Sequence, residues 1–417
     1  MIDLKQAAAD YVSLRSSVAR RIVVCAGTGC VASGALAVHD ALKERLSARG
    51  LNVVLLLEKC SPPPDLHIAR SGCQGFCQMG TLITIEPEGV LYTRVRPEDV
   101  DELVEVTFGS GAVVDRLLYV DPATGIHCRT KDDIPFYHRQ ERTVLKECGA
   151  IDPEDVREYF AIGGYQAAEK AYCAMNAEEI CNTILKAGLR GRGGGGFPTG
   201  RKWELARRQP GPKKYIICNG DEGDPGAFMD RSLMEGNPHS VIEGMLIAAR
   251  AIDADEGYVY VRMEYPLAVR RLRRAIEEAE KFGALGENVF GSGATFHLHI
   301  MEGAGAFVCG EETALLASVE GRRGMPNPKP PFPAQSGLWG KPTIINNVET
   351  LAAVPLILRN GADWFRSRGT EKSPGTKTFA LTGHVVNTGL IEVPFGATLG
   401  EIVNEIGGGV TNSAGLV

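Results

Sequence analysis

Residues 191–203 read GRGGGGFPTGRKW, with five glycines in the first six positions and Lys202 and Trp203 at the end. The spacing satisfies G-x-G-x-x-G, but it follows a helix predicted over residues 177–187 instead of a strand, which argues against a Rossmann site. Glycine leaves backbone N–H groups bare, so the loop is suited to cradling phosphates, with Lys202 as a nearby cation. For this loop alone, a flexible surface segment is the alternative.

A second loop is acidic and follows a strand. Residues 218–226 read CNGDEGDPG, directly after an apolar strand predicted over residues 215–217. Open α/β sheets bind ligands beyond the carboxyl ends of their strands. The pattern therefore makes candidate ligand-binding residues of Asn219, Asp221, Glu222 and Asp224, with a solvated acidic turn as the alternative.

Three further segments complete the set of candidate binding loops. Residues 303–313 read GAGAFVCGEET, a glycine-rich turn that opens a helix. Glu311 and Glu312 lie in its first turn, where helix capping is the alternative role. Residues 329–333 read KPPFP, in which prolines fix the backbone, and residues 345–350 read INNVET, in which Asn346 and Asn347 are neighbouring amides.

Four of the eleven cysteines form two close pairs, Cys25 with Cys30 and Cys73 with Cys77, each set among small residues. Iron–sulfur clusters need converging thiolates on loops that allow close backbone approach. A zinc site is the alternative, whereas the Cys-x-x-Cys of a dithiol oxidoreductase is absent from the sequence. We expect most of the other seven to be small buried hydrophobes: Cys60, Cys128, Cys148, Cys173, Cys181, Cys218 and Cys309.

Composition indicates a globular protein of two to three domains. The 417 residues are 44% hydrophobic and 23% charged, and the net charge is -6. No basic cluster interleaved with aromatics is present, so nucleic acid is excluded as an expected partner. With neither a secretory signal nor an apolar run long enough to span a bilayer, a cytoplasmic location is expected, any membrane association being made through partner subunits.

The order of apolar segments predicts an α/β multidomain fold. Strands are expected at residues 22–24, 53–57, 82–85 and 90–92, with helices at 34–48 and 97–106. Paired strands at 379–383 and 389–393 and a short helix at 399–406 follow near the end. We expect a small α/β domain over residues 1–112, a linker arm over 113–175, a second α/β body over 176–365, and a further domain over 370–417.

These motifs, in this order, closely resemble the FMN-binding, NADH-oxidising subunit of the respiratory NADH dehydrogenase (complex I 51 kDa) family over residues 120–417. Residues 20–108 resemble a thioredoxin-like 2Fe-2S ferredoxin, and residues after 377 resemble the family's β-grasp, soluble-ligand-binding domain. An N-terminal ferredoxin fused to the flavin subunit is similar to NAD(P)-linked hydrogenases and NAD-dependent formate dehydrogenases. The central body would then have a non-classical nucleotide-binding fold.

The resemblance implies roles for individual residues. Cys25, Cys30, Cys73 and Cys77 would hold the 2Fe-2S cluster. The residues that would hold FMN are Gly191, Arg192, Gly193, Lys202, Asn219, Asp221, Gly310, Glu311, Asn346 and Asn347. Those that would face the dinucleotide are Phe197, Asp224, Glu312, Lys329 and Phe332, and the cofactor-binding set also includes Gly194, Gly196, Glu222 and Phe307. Asp224 stands where the family commonly has Glu, and Leu205 where an adenine-stacking Phe can occur.

The function implied is hydride transfer between NADH and FMN, followed by single-electron transfer through iron–sulfur clusters to or from partner subunits of a quinone-reductase-like, hydrogenase or formate dehydrogenase complex. No side chain need act as acid or base. The family's C-terminal 4Fe-4S cluster is expected, but its Cys-x-x-Cys-x-x-Cys ligands are absent from this sequence, and the abrupt ending favours a truncated chain. The alternative is a non-catalytic scaffold or electron-transfer subunit that carries only the 2Fe-2S cluster.

Overall fold

The computed structural model describes residues 2–412 and 415–416, which divide into two compact units. The N-terminal unit contains residues 8–153, 379–393, 397–412 and 415–416. The central unit contains residues 2–7, 154–378 and 394–396. The mixed α/β class predicted from the sequence is confirmed, whereas the predicted domain boundaries and fold families stay predictions.

The N-terminal unit is built on a five-stranded sheet. Its strands, in spatial order, are Val53–Val54, Leu66–Ser71, Arg20–Cys25, Ile83–Glu86 and Val90–Tyr92. The first three run parallel and the last two antiparallel to their neighbours. The register pairs Cys25 with Ser71, so the segments that follow these two strands leave the sheet at the same edge.

One strand prediction in this unit was too long. A strand was expected over residues 53–57, but only Val53–Val54 pairs with a neighbour, at the edge of the sheet. Leu55 and Leu56 are exposed, because the chain has already left the sheet there. An apolar run alone does not show where strand pairing stops, since pairing depends on the neighbouring strand.

The central unit is built on a parallel four-stranded sheet. Its strands, in spatial order, are His297–Gly303, Glu256–Arg262, Tyr215–Gly220 and Thr343–Asn347. In chain order, Tyr215–Gly220 is the first strand of this sheet. It lies between the second strand, Glu256–Arg262, and the fourth, Thr343–Asn347, so the strand order reverses beside it. In open α/β sheets this switch point, at the carboxyl ends of the strands, is where ligands bind.

Helices cover the sheets. In chain order the α-helices are Leu4–Ser16, Thr28–Ala32, Ala35–Ala48, Val100–Leu103, Pro135–His138, Val156–Ala161, Gln166–Cys173, Ala177–Ala187, Thr199–Arg207, Met229–Gly236, Pro238–Ile252, Pro266–Lys281, Glu312–Val319, Val348–Asn360 and Ala362–Arg366. Helix Ala177–Ala187 begins at Asn176, whose side chain and that of Glu179 each accept the other's backbone N–H at 2.9 Å. It ends at Gly188 in the left-handed conformation, three residues before the glycine loop.

Two buried helices pack closely against each other in the central unit. Gly244 of helix Pro238–Ile252 faces helix Val348–Asn360 so closely that a Cβ there would lie 2.1 Å from the Leu351 carbonyl oxygen. Helix Val348–Asn360 begins where strand Thr343–Asn347 ends, with Asn347 as its N-cap residue. The packing of these helices therefore holds the last residues of the strand in place.

The remaining strands are short hairpin-like pairs. Thr376–Leu381 pairs with Gly389–Pro394, as expected from the sequence, and Glu401–Ile406 forms a π-helical turn where a short helix was predicted. Smaller pairs are Tyr119–Val120 with His127–Cys128 and Thr411–Asn412 with Gly415–Leu416. Within residues 2–412 and 415–416, no helix combines the length and the apolar character that a membrane span requires.

Candidate functional site

The carboxyl ends of two neighbouring parallel strands bring the acidic loop and the amide pair together. Strand Tyr215–Gly220 pairs with strand Thr343–Asn347 in a register that places Asn219 opposite Asn347 and Cys218 opposite Asn346. Asn219 Nδ2 donates to the Gly310 carbonyl oxygen at 2.9 Å. Three segments that lie far apart in the sequence therefore meet at one edge of the sheet.

A cavity of about 650 Å³ opens at this edge, within the central unit. Twelve of the predicted cofactor-binding residues line it: Gly191, Gly193, Gly196, Phe197, Lys202, Asn219, Gly310, Glu311, Glu312, Phe332, Asn346 and Asn347. Its other lining residues were not predicted to bind: Gly195, Leu205, Pro333, Ala334, Thr343, Ile345 and Thr350. A size of several hundred Å³ is typical of cofactor pockets.

Several positions of the glycine loop have no room, or no favourable backbone conformation, for a side chain. A Cβ on Gly193 would lie 2.9 Å from the Cβ of Asn347, which is too close for two side chains. Gly194 and Gly196 have φ angles of 107° and 62°, in the left-handed region that favours glycine. The loop is thus a backbone cradle directly beside the amide pair.

Lys202 and Trp203 attach helix Thr199–Arg207 to strand Thr343–Asn347. Lys202 Nζ donates to the Ile345 carbonyl oxygen at 3.0 Å, and Trp203 Nε1 donates to Asn346 Oδ1 at 2.8 Å. Burial lowers the pKa of Lys202, and the nearby Glu312 carboxylate, 3.9 Å away, opposes that change. Lys202 is therefore a half-buried cation at the cavity wall, suited to a phosphate.

A second cation, Lys329, is paired with two acidic residues that line the cavity. Its Nζ lies 3.0 Å from Glu311 and 2.5 Å from Glu312. Glu311 also accepts the backbone N–H groups of Thr313 and Ala314, so it caps helix Glu312–Val319. The helix-capping alternative considered for this residue is correct, although Glu311 also lines the cavity.

Asp221 carries a buried oxygen that has no hydrogen-bond partner among the described residues. Its Oδ2 is inaccessible to solvent, and a Cβ on Gly310 would lie 3.4 Å from it. Burial raises the pKa of Asp221 to about 6, against the opposing effect of Arg262. A buried acceptor of this kind needs a partner, and a ligand hydroxyl or N–H would provide one.

Seven predicted residues lie outside the cavity lining: Arg192, Gly194, Asp221, Glu222, Asp224, Phe307 and Lys329. Arg192 is buried and its guanidinium donates to the carbonyl oxygens of Arg190, Pro374 and Thr376. Glu222 accepts the backbone N–H groups of residues 229–231. These two side chains therefore hold the surrounding backbone instead of facing the cavity.

Two exposed members of this group lie on or near the acidic loop. Asp224 is exposed, and Phe307, which is 69% exposed, packs over Gly223, where a Cβ would lie 2.8 Å from its ring. Phe197 and Phe332, which do line the cavity, are about half exposed. The opening is therefore rimmed by aromatic side chains that water reaches.

One residue beneath the cavity carried no sequence signal that marked it. Asp230 is buried, and its Oδ2 accepts from Asn347 Nδ2 at 2.6 Å. Burial raises the pKa of Asp230 well above its ordinary value, and the neighbouring Glu222 adds to that effect. Asn347 Oδ1 accepts from the N–H groups of Glu349 and Thr350, so both ends of this amide are held.

The two cysteine pairs meet in the N-terminal unit. Cys25 ends strand Arg20–Cys25, and Cys73 follows the parallel strand Leu66–Ser71. Cys73 Sγ lies 3.4 Å from Cys77 Sγ, and the Cys25 thiol interacts with those of both Cys30 and Cys73. Hydrogen bonding to Cys25, followed by burial, raises the pKa of Cys73 to about 12.

Bare backbone surrounds these four thiols. A Cβ on Gly80 would lie 2.8 Å from Cys30 Sγ, and one on Gly27 would lie 2.9 Å from the Cβ of Cys73. In the part of the chain that the structure describes, no three His, Cys, Asp or Glu side chains form a group that could hold a single metal ion. The donor set and its glycine surroundings fit a cluster held by paired thiolates.

The other seven cysteines were predicted to be mostly buried. Five are buried and free: Cys128, Cys148, Cys181, Cys218 and Cys309. Cys60 and Cys173 are exposed. The prediction that most of these seven cysteines are buried is confirmed.

Comparison with known proteins gives a consistent result. Residues 184–356 match the family model described as the Nuo51 FMN-binding domain. Over 271 residues the chain is 55% identical to NADP-reducing hydrogenase subunit HndC of Solidesulfovibrio fructosivorans, covering 65% of this chain and 55% of that relative. Over 254 residues it is 50% identical to an NADH-quinone oxidoreductase subunit of Escherichia coli (strain K12), covering 61% of this chain and 57% of that relative.

A solved structure extends the likeness over nearly the whole chain. The crystal structure of NAD+-reducing [NiFe]-hydrogenase in the H2-reduced state matches with a TM-score of 0.57 and 29% identity. The match covers 97% of this chain and 66% of that one. The chain spans less than two thirds of the length of the two curated relatives.

Proposed function

We propose that this chain is the NADH-oxidising, FMN-binding subunit of a larger redox complex, because residues 184–356 match the model of the Nuo51 FMN-binding domain. Bound FMN would supply the chemistry, accepting a hydride from NADH and releasing the electrons one at a time. The observation that carries this proposal is the cavity of about 650 Å³ at the switch point of the parallel sheet, walled by bare glycine backbone and Lys202.

The residues at the cavity fit a flavin mononucleotide. Bare N–H groups and the Lys202 cation suit the phosphate. Asn219 and Asn346 line the cavity and suit the hydroxyl groups and ring edges. The unpartnered Asp221 Oδ2 lies outside the lining, beside the lining residue Gly310, and would accept from a ligand group that reaches it. We infer that Gly191, Gly193, Gly196 and Gly310 leave room for close approach of the bound group.

The dinucleotide would enter at the aromatic rim. Phe197 and Phe332 line the cavity and are about half exposed, so their faces are accessible for stacking on adenine. Glu312 and its partner Lys329 would contact the ribose and phosphate groups. The chain's own contribution would be to orient the nicotinamide at a reactive distance and to exclude water, with no side chain acting as acid or base.

We propose that Cys25, Cys30, Cys73 and Cys77 hold a 2Fe-2S cluster that passes single electrons to or from partner subunits. In this proposal residues 1–112 are a thioredoxin-like ferredoxin domain and residues 113–175 an arm. Residues 176–365 form the flavin and NADH domain, and residues 370–417 belong to a β-grasp domain. The relatives named above are themselves subunits, which supports a multisubunit assembly for this chain.

The test is a titration of anaerobically purified, reconstituted protein with FMN and then NADH, followed by visible absorption. We expect about one FMN per chain and loss of the flavin band when NADH is added. Lys202→Met removes the wall cation and should weaken FMN binding on the order of tenfold or more. Lys186→Met, at a side chain that is 66% exposed, is the matched control and should bind FMN normally.

Two kinds of result would contradict the proposal. If the reconstituted wild-type chain binds no flavin, or binds FMN that NADH does not reduce, the proposed activity is wrong. If Lys202→Met and Lys186→Met bind FMN equally well, the cavity wall is not the phosphate site.

A further inference from the structure

A tyrosine and an arginine that belong to none of the binding motifs lie against the Cys73–Cys77 loop. We propose that Tyr137 and Arg142 set the reduction potential of the cluster held by Cys25, Cys30, Cys73 and Cys77. Tyr137 would act as a hydrogen-bond donor, and Arg142 as a cation that stabilises the reduced state. This inference rests on the proposed cysteine site, and it concerns residues that the resemblance did not assign.

Tyr137 is a buried donor without an acceptor. The side chain is 7% exposed, and its hydroxyl has no hydrogen-bond partner within the described part of the chain. Its ring packs edge-on against Phe76 of the Cys73–Cys77 loop, with 5.8 Å between ring centroids. A buried hydroxyl without a partner is costly in a native protein, so a bound group that accepts its hydrogen bond is the simplest explanation.

The thiols of Cys25, Cys73 and Cys77 lie within electrostatic range of this phenol. Burial raises the pKa of Tyr137 well above its ordinary value, Arg142 opposes this, and the charges of Cys25, Cys73 and Cys77 add to it. A phenol hydroxyl has one proton to donate, and the negatively charged sulfur of a ligand thiolate is an acceptor for it. The geometry and the charge of the neighbours both indicate a donor role.

Arg142 places a positive charge against the Cys73–Cys77 loop. Its Nη1 donates to the Gln74 carbonyl oxygen at 3.1 Å, and a Cβ on Gly75 would lie 3.6 Å from its Nη2. Nε and Nη2 are buried, and neither has a hydrogen-bond partner among residues 2–412 and 415–416. The guanidinium carbon lies 6.0 Å from the Tyr137 ring centroid, so the two side chains form one group.

The segment that carries Arg142 is anchored independently of the cluster. Glu392, which is fully buried, accepts the backbone N–H groups of Thr143, Val144 and Leu145. In the loop that Arg142 contacts, the Gly75 N–H donates to Cys73 Sγ at 3.3 Å. Arg142 is therefore held rigidly against a loop whose backbone already bonds to a ligand sulfur.

The direction of the effect follows from electrostatics. Reduction adds one electron, and so one negative charge, to the cluster. A cation and an O–H donor stabilise the more negative state more strongly, and hydrogen bonds and net charge near the sulfurs are known determinants of cluster potential. Removing either group should therefore lower the reduction potential.

The test is an anaerobic titration with dithionite and redox mediators, in which the cluster is followed by electron paramagnetic resonance. We expect Tyr137→Phe and Arg142→Gln each to reduce the equilibrium constant for cluster reduction on the order of tenfold, which is about 59 mV for one electron. Arg142→Lys keeps the charge and should retain most of the potential. Iron and labile sulfide are measured first in every variant.

Tyr119→Phe is the matched control. Tyr119 belongs to the same aromatic group, with its ring 5.3 Å from that of Phe76, but its hydroxyl already donates to Asn387 Oδ1 at 3.0 Å. We expect its cluster potential to match that of the wild type. A potential that falls equally in Tyr119→Phe would show a packing effect and overturn the donor role.

The outcomes separate this inference from its premise. If the wild-type chain holds no iron and sulfide after reconstitution, the proposed cysteine site is wrong, and this inference falls with it. If the cluster forms but Tyr137→Phe and Arg142→Gln leave its potential unchanged, only the inference about these two residues is overturned. If Tyr137→Phe fails to fold, the comparison of Arg142→Gln with Arg142→Lys still decides the role of the charge.

Discussion

Replacing Asp221 by Asn should stabilise the flavin-free protein and weaken its binding of FMN. Burial raises the pKa of Asp221 from 3.8 to about 6 in the folded state. A carboxyl group whose pKa is raised by folding favours the folded state when protonated, and this contribution is lost as the pH rises through about 6. At neutral pH the wild-type protein therefore keeps an unfavourable buried charge that Asn lacks.

The size of the effect follows from the two pKa values. A change from 3.8 to about 6 corresponds to about 3 kcal/mol at pH 8, taking 1.36 kcal/mol per pH unit. Asp221 is partly exposed, so screening by solvent reduces this figure. We expect Asp221→Asn to raise the free energy of unfolding by about 1–2 kcal/mol at pH 8 and by about half of that at pH 5.

The assay is urea unfolding of the flavin-free protein at pH 5 and pH 8, followed by tryptophan fluorescence. The three tryptophans, Trp203, Trp339 and Trp364, all lie in the central unit, so the signal reports on the unit that contains Asp221. Asp363→Asn, at a side chain that is 83% exposed, is the matched control and should change little. A gain that is absent at pH 8, or equal at both pH values, would refute the reasoning.

The same variant should bind FMN more weakly. The unpartnered Asp221 Oδ2 is the acceptor that we assign to a flavin hydroxyl, and a neutral amide is a weaker acceptor than a carboxylate. A higher stability together with a lower affinity is the pattern expected when a buried charge is kept for binding. Equal affinities of Asp221→Asn and wild type would remove Asp221 from the flavin site.

Two further substitutions test the cradle and the core of the central unit. Gly193→Ala would place a Cβ 2.9 Å from the Cβ of Asn347 and should weaken FMN binding at least about tenfold in a fluorescence titration. Gly195→Ala is the control, because its Cβ would have nothing within 4 Å, and it should have a smaller effect. Equal effects of the two substitutions would contradict a steric cause. Glu243→Gln should lower the free energy of unfolding by about 3 kcal/mol in a urea titration. The reason is that the fully buried Glu243 accepts from the Tyr159 hydroxyl and two backbone N–H groups, and a wild-type midpoint in this variant would show that the network contributes little.

The sequence was informative wherever a function depends on local pattern. The glycine loop and the amide pair at Asn346 and Asn347 were identified, and both contribute residues to the cavity lining. Of the acidic segment, only Asn219, near the end of strand Tyr215–Gly220, lines the cavity. Strand Tyr215–Gly220 and helix Ala177–Ala187 were predicted because apolar periodicity and capping residues are local properties. The mixed α/β class follows from the same patterns.

Side-chain direction could not be predicted in this way. Arg192 lies within the glycine loop, yet its guanidinium donates to carbonyl oxygens of residues 190, 374 and 376. Glu222 belongs to the acidic loop but caps the backbone of residues 229–231. Spacing along the chain shows which residues are near a ligand, but not which way each side chain turns, because that depends on contacts that form only when the chain folds.

The sequence by itself therefore determined the mixed α/β class, the loops that form the candidate flavin site and the four thiols of the candidate cluster site. Only the tertiary structure revealed Asp230 beneath Asn347, and Tyr137 and Arg142 beside the Cys73–Cys77 loop. These contacts join residues more than 60 positions apart, and an isolated Asp, Tyr or Arg has no local pattern that marks it. Their roles arise from burial and from an unpaired polar atom, which are properties that exist only once the chain has folded.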